Sequence, residues 1–324
     1  MILLTGATGY LGSQIATELA RRRAPFRVLV RSRSRLPFDP VAAGAEVVEG
    51  DLRDAAAAQQ ALRGVNRVIH TAALVKMWVR DPAEFRRVNV DGLKALLEAA
   101  RQSGVERVVY TSSFIALGPS ADASAAEGLQ HHGPYSNEYE QTKVEALAWL
   151  RAEGFSRYPV LALMPGVVYG PGPMTEGNLV GGMISQYLAG KFPGLLGSGN
   201  QRWSFAYNAD VVAAHLAALD RGKPGEEYVL AGDNRSLNEF FGALAELSGV
   251  RRHVRHLPFA AGKMVGAFEL AKANLFGRAP QLTPGVVEIF KHDWVYSSVR
   301  AERELGYHVT RLEDGLKATL ERRN

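Results

Sequence analysis

The 324-residue sequence contains no cysteine, which removes thiolate nucleophiles, Cys-ligated zinc, iron–sulfur clusters and disulfides from consideration. It also lacks any apolar run of eighteen residues. The nearest, residues 257–275, is interrupted by Lys263, Glu269 and Lys272 and reads as an amphipathic helix rather than a span. Neither sign of charge dominates: 38 Lys and Arg face 33 Asp and Glu, a net +5 that an anionic small molecule satisfies as well as a nucleic acid. The basic runs Arg21-Arg22-Arg23 and Arg251-Arg252 are short and free of the interleaved aromatics that stack bases. His253 and His256 have no evident third metal ligand. The opening Met1-Ile2-Leu3-Leu4-Thr5-Gly6 enters a strand pattern at once and leaves no room for a leader. The expectation is a cytoplasmic protein with no metal, no nucleic-acid partner and no membrane partner.

What is present is a core-forming composition, 47% hydrophobic and 22% charged, enough for one large or two ordinary domains. Up to about residue 165, short apolar runs alternate with longer amphipathic ones. The runs at 2–4, 27–30, 46–48, 68–70, 108–110 and 160–163 read as buried strands, and 11–23, 55–62, 84–102 and 138–151 as helices. Strand-helix-strand repetition predicts an α/β fold, a doubly wound parallel sheet of Rossmann type. After Pro165 glycine and proline become dense to Gly199, and a smaller, mostly helical C-terminal lobe is expected over 166–324. Within it, residues 200–235, with a helix at 208–220 and a strand at 228–230, are expected to pack back on the first domain, 1–165.

The first strand ends in Thr5-Gly6-Ala7-Thr8-Gly9-Tyr10-Leu11-Gly12. Glycines at that spacing permit a tight turn and close approach of backbone to a pyrophosphate at a helix N-terminus. Gly6, Thr8, Gly9, Tyr10 and Leu11 are therefore expected to hold a dinucleotide. The second strand ends at Arg31, where a fold preferring NAD places an acidic residue for the ribose 2′-hydroxyl. Arg31, followed by Arg33 and Arg35, attracts a 2′-phosphate instead, so NADP is expected over NAD. The third strand ends in Gly50-Asp51-Leu52, with Asp51 positioned to accept from an adenine amino group, and the fourth in Thr71-Ala72-Ala73, whose small side chains let a ribose and phosphate pass.

Tyr139 and Lys143 lie four apart in a helical segment and share one face. A neighbouring ammonium lowers a phenol's pKa, which makes this pair a proton donor and acceptor for a carbonyl oxygen. The fifth strand ends in Thr111-Ser112-Ser113, placing hydroxyls at the sheet's carboxyl edge, and Ser113 is expected to hold the substrate oxygen beside Tyr139.

With these motifs, and with Asn89-Val90-Asp91-Gly92 and the 165–172 run Pro-Gly-Val-Val-Tyr-Gly-Pro-Gly, the sequence resembles the extended short-chain dehydrogenase/reductase family, within the NAD-dependent epimerase/dehydratase superfamily. The dihydroflavonol-reductase-like branch is closest. The resemblance implies that Tyr139 is the acid/base, that Lys143 lowers its pKa and holds the nicotinamide ribose, and that Ser113 orients the reacting oxygen. It implies that Asn89 anchors a relay water or braces its helix, and that Pro165 and Val168 cover the nicotinamide. Family dehydratases carry an acidic pair after the hydroxyl residue, where this chain has Phe114-Ile115. The expected reaction is NADPH-dependent reduction of a ketone or aldehyde of a small molecule. The alternatives are a nucleotide-sugar epimerase with bound NAD and a non-catalytic NADP sensor. Lys76, Trp78, His131, His132, Tyr135 and Asn137 are candidate pocket residues, and helices 84–102 and 138–151 a candidate homodimer contact.

Overall fold

The computed structural model describes residues 1–322. The strands are β1 Ile2–Thr5, β2 Phe26–Val30, β3 Ala45–Glu49, β4 Arg67–His70, β5 Arg107–Thr111, β6 Val160–Pro165, β7 Val167–Tyr169, β8 Leu195–Leu196, β9 Arg202–Tyr207, β10 Glu227–Leu230, β11 Asp233–Ser236 and β12 His256–Leu257. The principal helices of the first half are α1 Tyr10–Arg21, α2 Ala55–Leu62, α3 Ala83–Arg86, α4 Gly92–Gln102, α5 Glu138–Trp149 and the short α6 Phe155–Arg157. The second half contributes α7 Leu179–Leu188, α8 Asn208–Arg221, α9 Leu237–Ser248, α10 Phe259–Phe276, α11 Pro284–Ile289, α12 Val299–Leu305 and α13 Leu312–Glu321.

Seven strands form one sheet in the order β3-β2-β1-β4-β5-β6-β10, and every pairing in it is parallel. The strand order reverses between β1 and β4, so a crevice opens beyond their carboxyl ends, where sheets of this class take ligands. Strand residues alternate between two apolar layers. Leu3, Val68, Val108 and Val160 meet α4 and α5 on one face, while Leu4, Val28, Ile69, Val109 and Leu161 meet α1 and α8 on the other. The six expected strands are all present. β10 pairs with β6 at the sheet's edge, and α8 lies on the α1 face.

Three features depart from expectation. The helix read over 84–102 is broken by a wide turn at Arg87–Asp91 between α3 and α4, and a second wide turn at Leu150–Gly154 follows α5. The C-terminal region is mostly helical, as expected, but it also holds strands that the sequence did not announce: β7, β9 and β11 form a three-stranded sheet and β8 pairs with β12.

The turn between β1 and α1 depends on two glycines. Gly6 has φ +79° and its missing side chain admits the Ala72 amide, 2.6 Å from where a Cβ would lie. A Cβ on Gly12 would fall 2.2 Å from the Gly6 carbonyl oxygen. Gly→Ala inside a helix ordinarily stabilises by up to about 1 kcal/mol. At Gly12 the backbone clash reverses that sign: Gly12→Ala is expected to lower stability by about 1–3 kcal/mol, measured by urea unfolding, and unchanged or raised stability refutes this account of the turn.

Candidate functional site

At the β1–α1 turn, Gly9 caps α1 with no side-chain partner for the first-turn amides, which leaves N–H groups and the positive dipole end facing the crevice. Gly9 itself is not demanded by the protein's packing. Its φ is −86°, and a Cβ there would meet only the Gly6 carbonyl, at 3.3 Å. A glycine at an uncapped helix start, less crowded than Gly6 or Gly12, fits a backbone that a pyrophosphate approaches. Thr8 lies partly buried beside it. Tyr10 and Leu11 turn their side chains into the protein. Tyr10 Oη donates to the Gly170 carbonyl at 2.9 Å and Leu11 packs in the α1 layer, so only their backbone faces the cradle.

Arg31 is exposed at the end of β2, and Arg33 and Arg35 follow it on a single exposed turn. Their guanidinium groups form no hydrogen bond or ion pair among the described residues, although the positive charge of Arg31 helps to hold Asp51 ionised. Asp51 has a partner within the protein. Arg53 grips its carboxylate with Nε at 2.9 Å and Nη2 at 2.8 Å, and this bond is the main cause of a pKa held down to about 2. Leu52 packs toward α4. Ala72 and Ala73 lie partly exposed after β4, pinned to β1 by the Thr71 hydroxyl, which donates to the Thr5 carbonyl at 2.8 Å.

The reacting groups converge at the end of β5. Ser113 caps the one-turn segment Phe114–Leu117 in extended conformation, accepting from the Ile115 amide at 3.4 Å, and its hydroxyl lies near enough to the Tyr139 phenol to lower that group's pKa. The Ser112 hydroxyl is buried and makes no hydrogen bond among the described residues. Tyr139 occupies the first turn of α5, whose N-cap is Asn137. One turn later Lys143 is buried, with Nζ donating to the Thr111 carbonyl at 2.9 Å and the Tyr110 phenol at 3.4 Å. Nζ stands 5.9 Å from the Tyr139 ring centre.

Burial dominates the electrostatics of this cluster. It pushes the Tyr139 phenol up to about 12, opposed by the Ser113 hydroxyl, and the Lys143 ammonium down to about 7. The sequence alone leads one to expect the ammonium to lower the phenol, whereas in this arrangement withdrawal from water is the largest cause and raises it. Beneath the cluster His70, stacked on Tyr110 and bonded to the Thr5 hydroxyl at 2.7 Å, is held neutral, its pKa lowered to about 3 by burial and by Lys143.

Among the described residues Asn89 makes no hydrogen bond to Tyr139, Lys143 or Ser113. Its Oδ1 accepts from the Leu74 amide at 2.7 Å, and its Nδ2 donates to the Leu74 carbonyl and the Thr142 hydroxyl. It thereby ties the loop after β4 to α5, and the wide turn at Arg87–Asp91 is what presents it. Pro165 ends β6 in the core and Val168 sits half-buried in β7.

The loop residues expected around the pocket have mostly structural partners. Lys76 pairs with Glu176 at 3.4 Å, Trp78 Nε1 donates to Asn274 at 3.0 Å, Tyr135 leans on His131, and His132 is exposed. His131 bonds buried Glu140 at 2.8 Å, whose other oxygen accepts from the Ser136 amide. Sequence reasoning passed over Glu140, Thr142 and His215, the last bonded to the Thr111 hydroxyl at 2.8 Å. Glu140 and Thr142 adjoin the Tyr139–Lys143 pair in sequence, which was a usable signal. His215 lies 104 residues from Thr111 and had none.

Comparison with known proteins agrees with this construction. The model of the "NAD dependent epimerase/dehydratase family" matches residues 2–231. "Sterol demethylase protein B" of Methylococcus capsulatus is 32% identical, with 94% of this chain and 92% of that protein covered. "2-alkyl-3-oxoalkanoate reductase" of Stenotrophomonas maltophilia is 27% identical, with 98% and 97% covered. The crystal structure of the UDP-glucose 4-epimerase of Thermus thermophilus in complex with NAD superposes with a TM-score of 0.75 at 26% identity, covering 99% of this chain and 97% of that one. The uncapped glycine turn, the crevice at the strand reversal and the Ser113–Tyr139–Lys143 cluster occur in a chain that belongs to the NAD-dependent epimerase/dehydratase family, as an NAD(P)-dependent enzyme of the extended short-chain dehydrogenase/reductase type.

Proposed function

We propose that this enzyme reduces a ketone or aldehyde group of a small organic substrate with NADPH. The observation that carries the reading is the meeting of the Ser113 and Tyr139 hydroxyls at the carboxyl edge of β5, with the Lys143 ammonium buried behind them. When bound, NADPH supplies a hydride to the carbonyl carbon. Ser113 orients the carbonyl oxygen and Tyr139 delivers its proton there, so that carbon is reduced and the oxygen becomes a hydroxyl. A phenol pushed up to about 12 holds its proton at neutral pH and is suited to donate it to a developing alkoxide. Lys143, fixed by the Thr111 carbonyl, stabilises the phenolate left behind and stands where a nicotinamide ribose would be held.

Three observations support the choice of cofactor and reaction. Arg31, Arg33 and Arg35 present unpaired cations after β2, as a 2′-phosphate requires and a free 2′-hydroxyl does not. Gly6, Thr8 and Gly9, with the backbone of Tyr10 and Leu11, would hold the pyrophosphate. A relative that shares nearly all of its length with this chain is a 2-alkyl-3-oxoalkanoate reductase by name. A nucleotide-sugar epimerase must retain an oxidised intermediate on tightly kept NAD, and Arg31 speaks against it. A sensor without turnover has no use for Tyr139 and Lys143.

Tyr139→Phe is expected to lower carbonyl-dependent NADPH oxidation by about 10²–10⁴ while leaving NADPH affinity within a few-fold, read by initial rates and fluorescence titration. Retained turnover would sink the assignment. Arg31→Asp should weaken NADPH binding and bring NADH level with it or ahead, as seen in paired titrations; an unchanged preference transfers the 2′-phosphate contact away from Arg31. Burial of Lys143 also predicts a pH dependence of the cofactor-free protein. The unfolded chain keeps that proton up to 10.5 and the folded one only to about 7, so the unfolded state binds more protons between those values and stability rises with pH across the window. Wild-type stability should therefore gain on Lys143→Met from pH 7 to 10.5 in urea unfolding series. A constant difference contradicts burial as the cause.

A further inference from the structure

The longest helix of the protein turns the wrong residues outward. α10 seats itself through Gly262, Gly266 and Ala273, its only fully buried residues, against Leu196, Val287 and the Thr283–Pro284 backbone. Its large apolar side chains point away: Met264, Val265, Phe268, Leu275 and Phe276 are each more than half exposed. An exposed apolar surface of this extent on a folded protein marks a contact site. Exposed Met77 and Met174 extend it onto the loops that flank the crevice, which the Lys76–Glu176 pair joins to each other and the Trp78–Asn274 bond joins to α10.

Charge states what the surface fits. Residues 251–291, which lead into, form and leave α10, contain seven Lys and Arg but only Glu269 and Glu288 as acids. That surplus of five equals the net +5 of the whole chain, so the remaining residues are neutral in sum. Lys263 and Lys272 are paired with Glu288 and Glu269, whereas the side chains of Arg251, Arg255 and Arg278 have no ion pair among the described residues. Two such faces brought together about a two-fold axis would set like charges against each other, which disfavours a second copy of the chain. A helix with aromatic and aliphatic side chains outward and cations at its borders matches an anionic lipid interface.

We propose that α10 docks this enzyme peripherally on an anionic bilayer surface, with the mouth of the crevice held beside the lipid. Among the described residues no helix is long and apolar enough to cross a membrane, and the contact proposed is with the surface alone. It revises the expectation from sequence that no membrane partner exists, and it stands independently of the reductase reading.

The test is cosedimentation of the full-length protein with phosphatidylcholine vesicles and with vesicles of phosphatidylcholine and phosphatidylglycerol. Binding is expected to the mixed vesicles, to weaken in high salt and to be slight on phosphatidylcholine alone. The triple variant Phe268→Ser, Leu275→Ser, Phe276→Ser should lose about tenfold or more of its partition while keeping the wild-type melting curve. Should that variant unfold, Arg251→Glu, Arg255→Glu, Arg278→Glu supplies the same comparison by charge and should also release the protein. The proposal is overturned if wild-type protein stays in the supernatant or if folded variants sediment as the wild type does. It is equally overturned if light scattering shows a wild-type dimer that the triple variant splits, since α10 would then belong to a second copy.

Discussion

The bond from Lys143 Nζ to the Thr111 carbonyl is the contact on which the site's geometry rests. A cation withdrawn from water must find acceptors or lose its proton, and here the acceptors are the last carbonyl of β5 and the Tyr110 phenol. This bond fixes the rotation of α5 against the sheet. That rotation places Tyr139, one turn earlier on the same face, over Ser113. The support continues behind β5, because the Thr111 hydroxyl bonds His215 on α8, whose other ring nitrogen meets the Val211 carbonyl. The reacting face of the sheet is thus held in position from its opposite side.

A second group of contacts keeps the approach to that face in register. Asn89 fastens the loop after β4 to α5 through Leu74 and Thr142, and Glu140 fastens the segment before α5 through His131 and Ser136. Both are buried polar side chains with every role directed at protein, which specifies one arrangement at the cost of desolvation. Local strain is small by comparison: Tyr139 sits in a regular helical turn capped by Asn137.

Most of the sheet was legible in the sequence because buried parallel strands are written as short apolar runs flanked by polar residues, as at Val108–Tyr110 between Arg107 and Thr111 of β5. The glycine turn was legible for the same reason, since few side chains fit there. What escaped was whatever depends on partners far away in the chain. The bond from Arg53 to Asp51, two residues apart, is the exception, a local pair that the sequence reading did not use. The break in the 84–102 helix follows from seating Asn89 against Leu74, a tertiary demand that helical periodicity does not encode. The strands β9 and β11 were hidden in a stretch rich in aromatics and polar residues, where pairing partners rather than pattern decide. Lys143 was placed correctly on the face of Tyr139, but the depth of its burial, and with it the direction of both proton affinities, belongs to the packed structure.

The pairing of β10 with β6 bears on how the chain is made. β6 ends at Pro165, yet the strand that covers its outer edge begins only at Glu227. During synthesis, about sixty residues must leave the ribosome after β6 before its edge can close, and until then a fully buried strand of the finished protein presents unpaired amides and carbonyls. The interval holds β7, α7, β8, β9 and α8, and of these α8 brings the apolar surface that covers Leu161 and Leu163. Slow elongation between residues 166 and 226 would prolong the life of that open edge, so the cell's handling of the nascent chain matters most there.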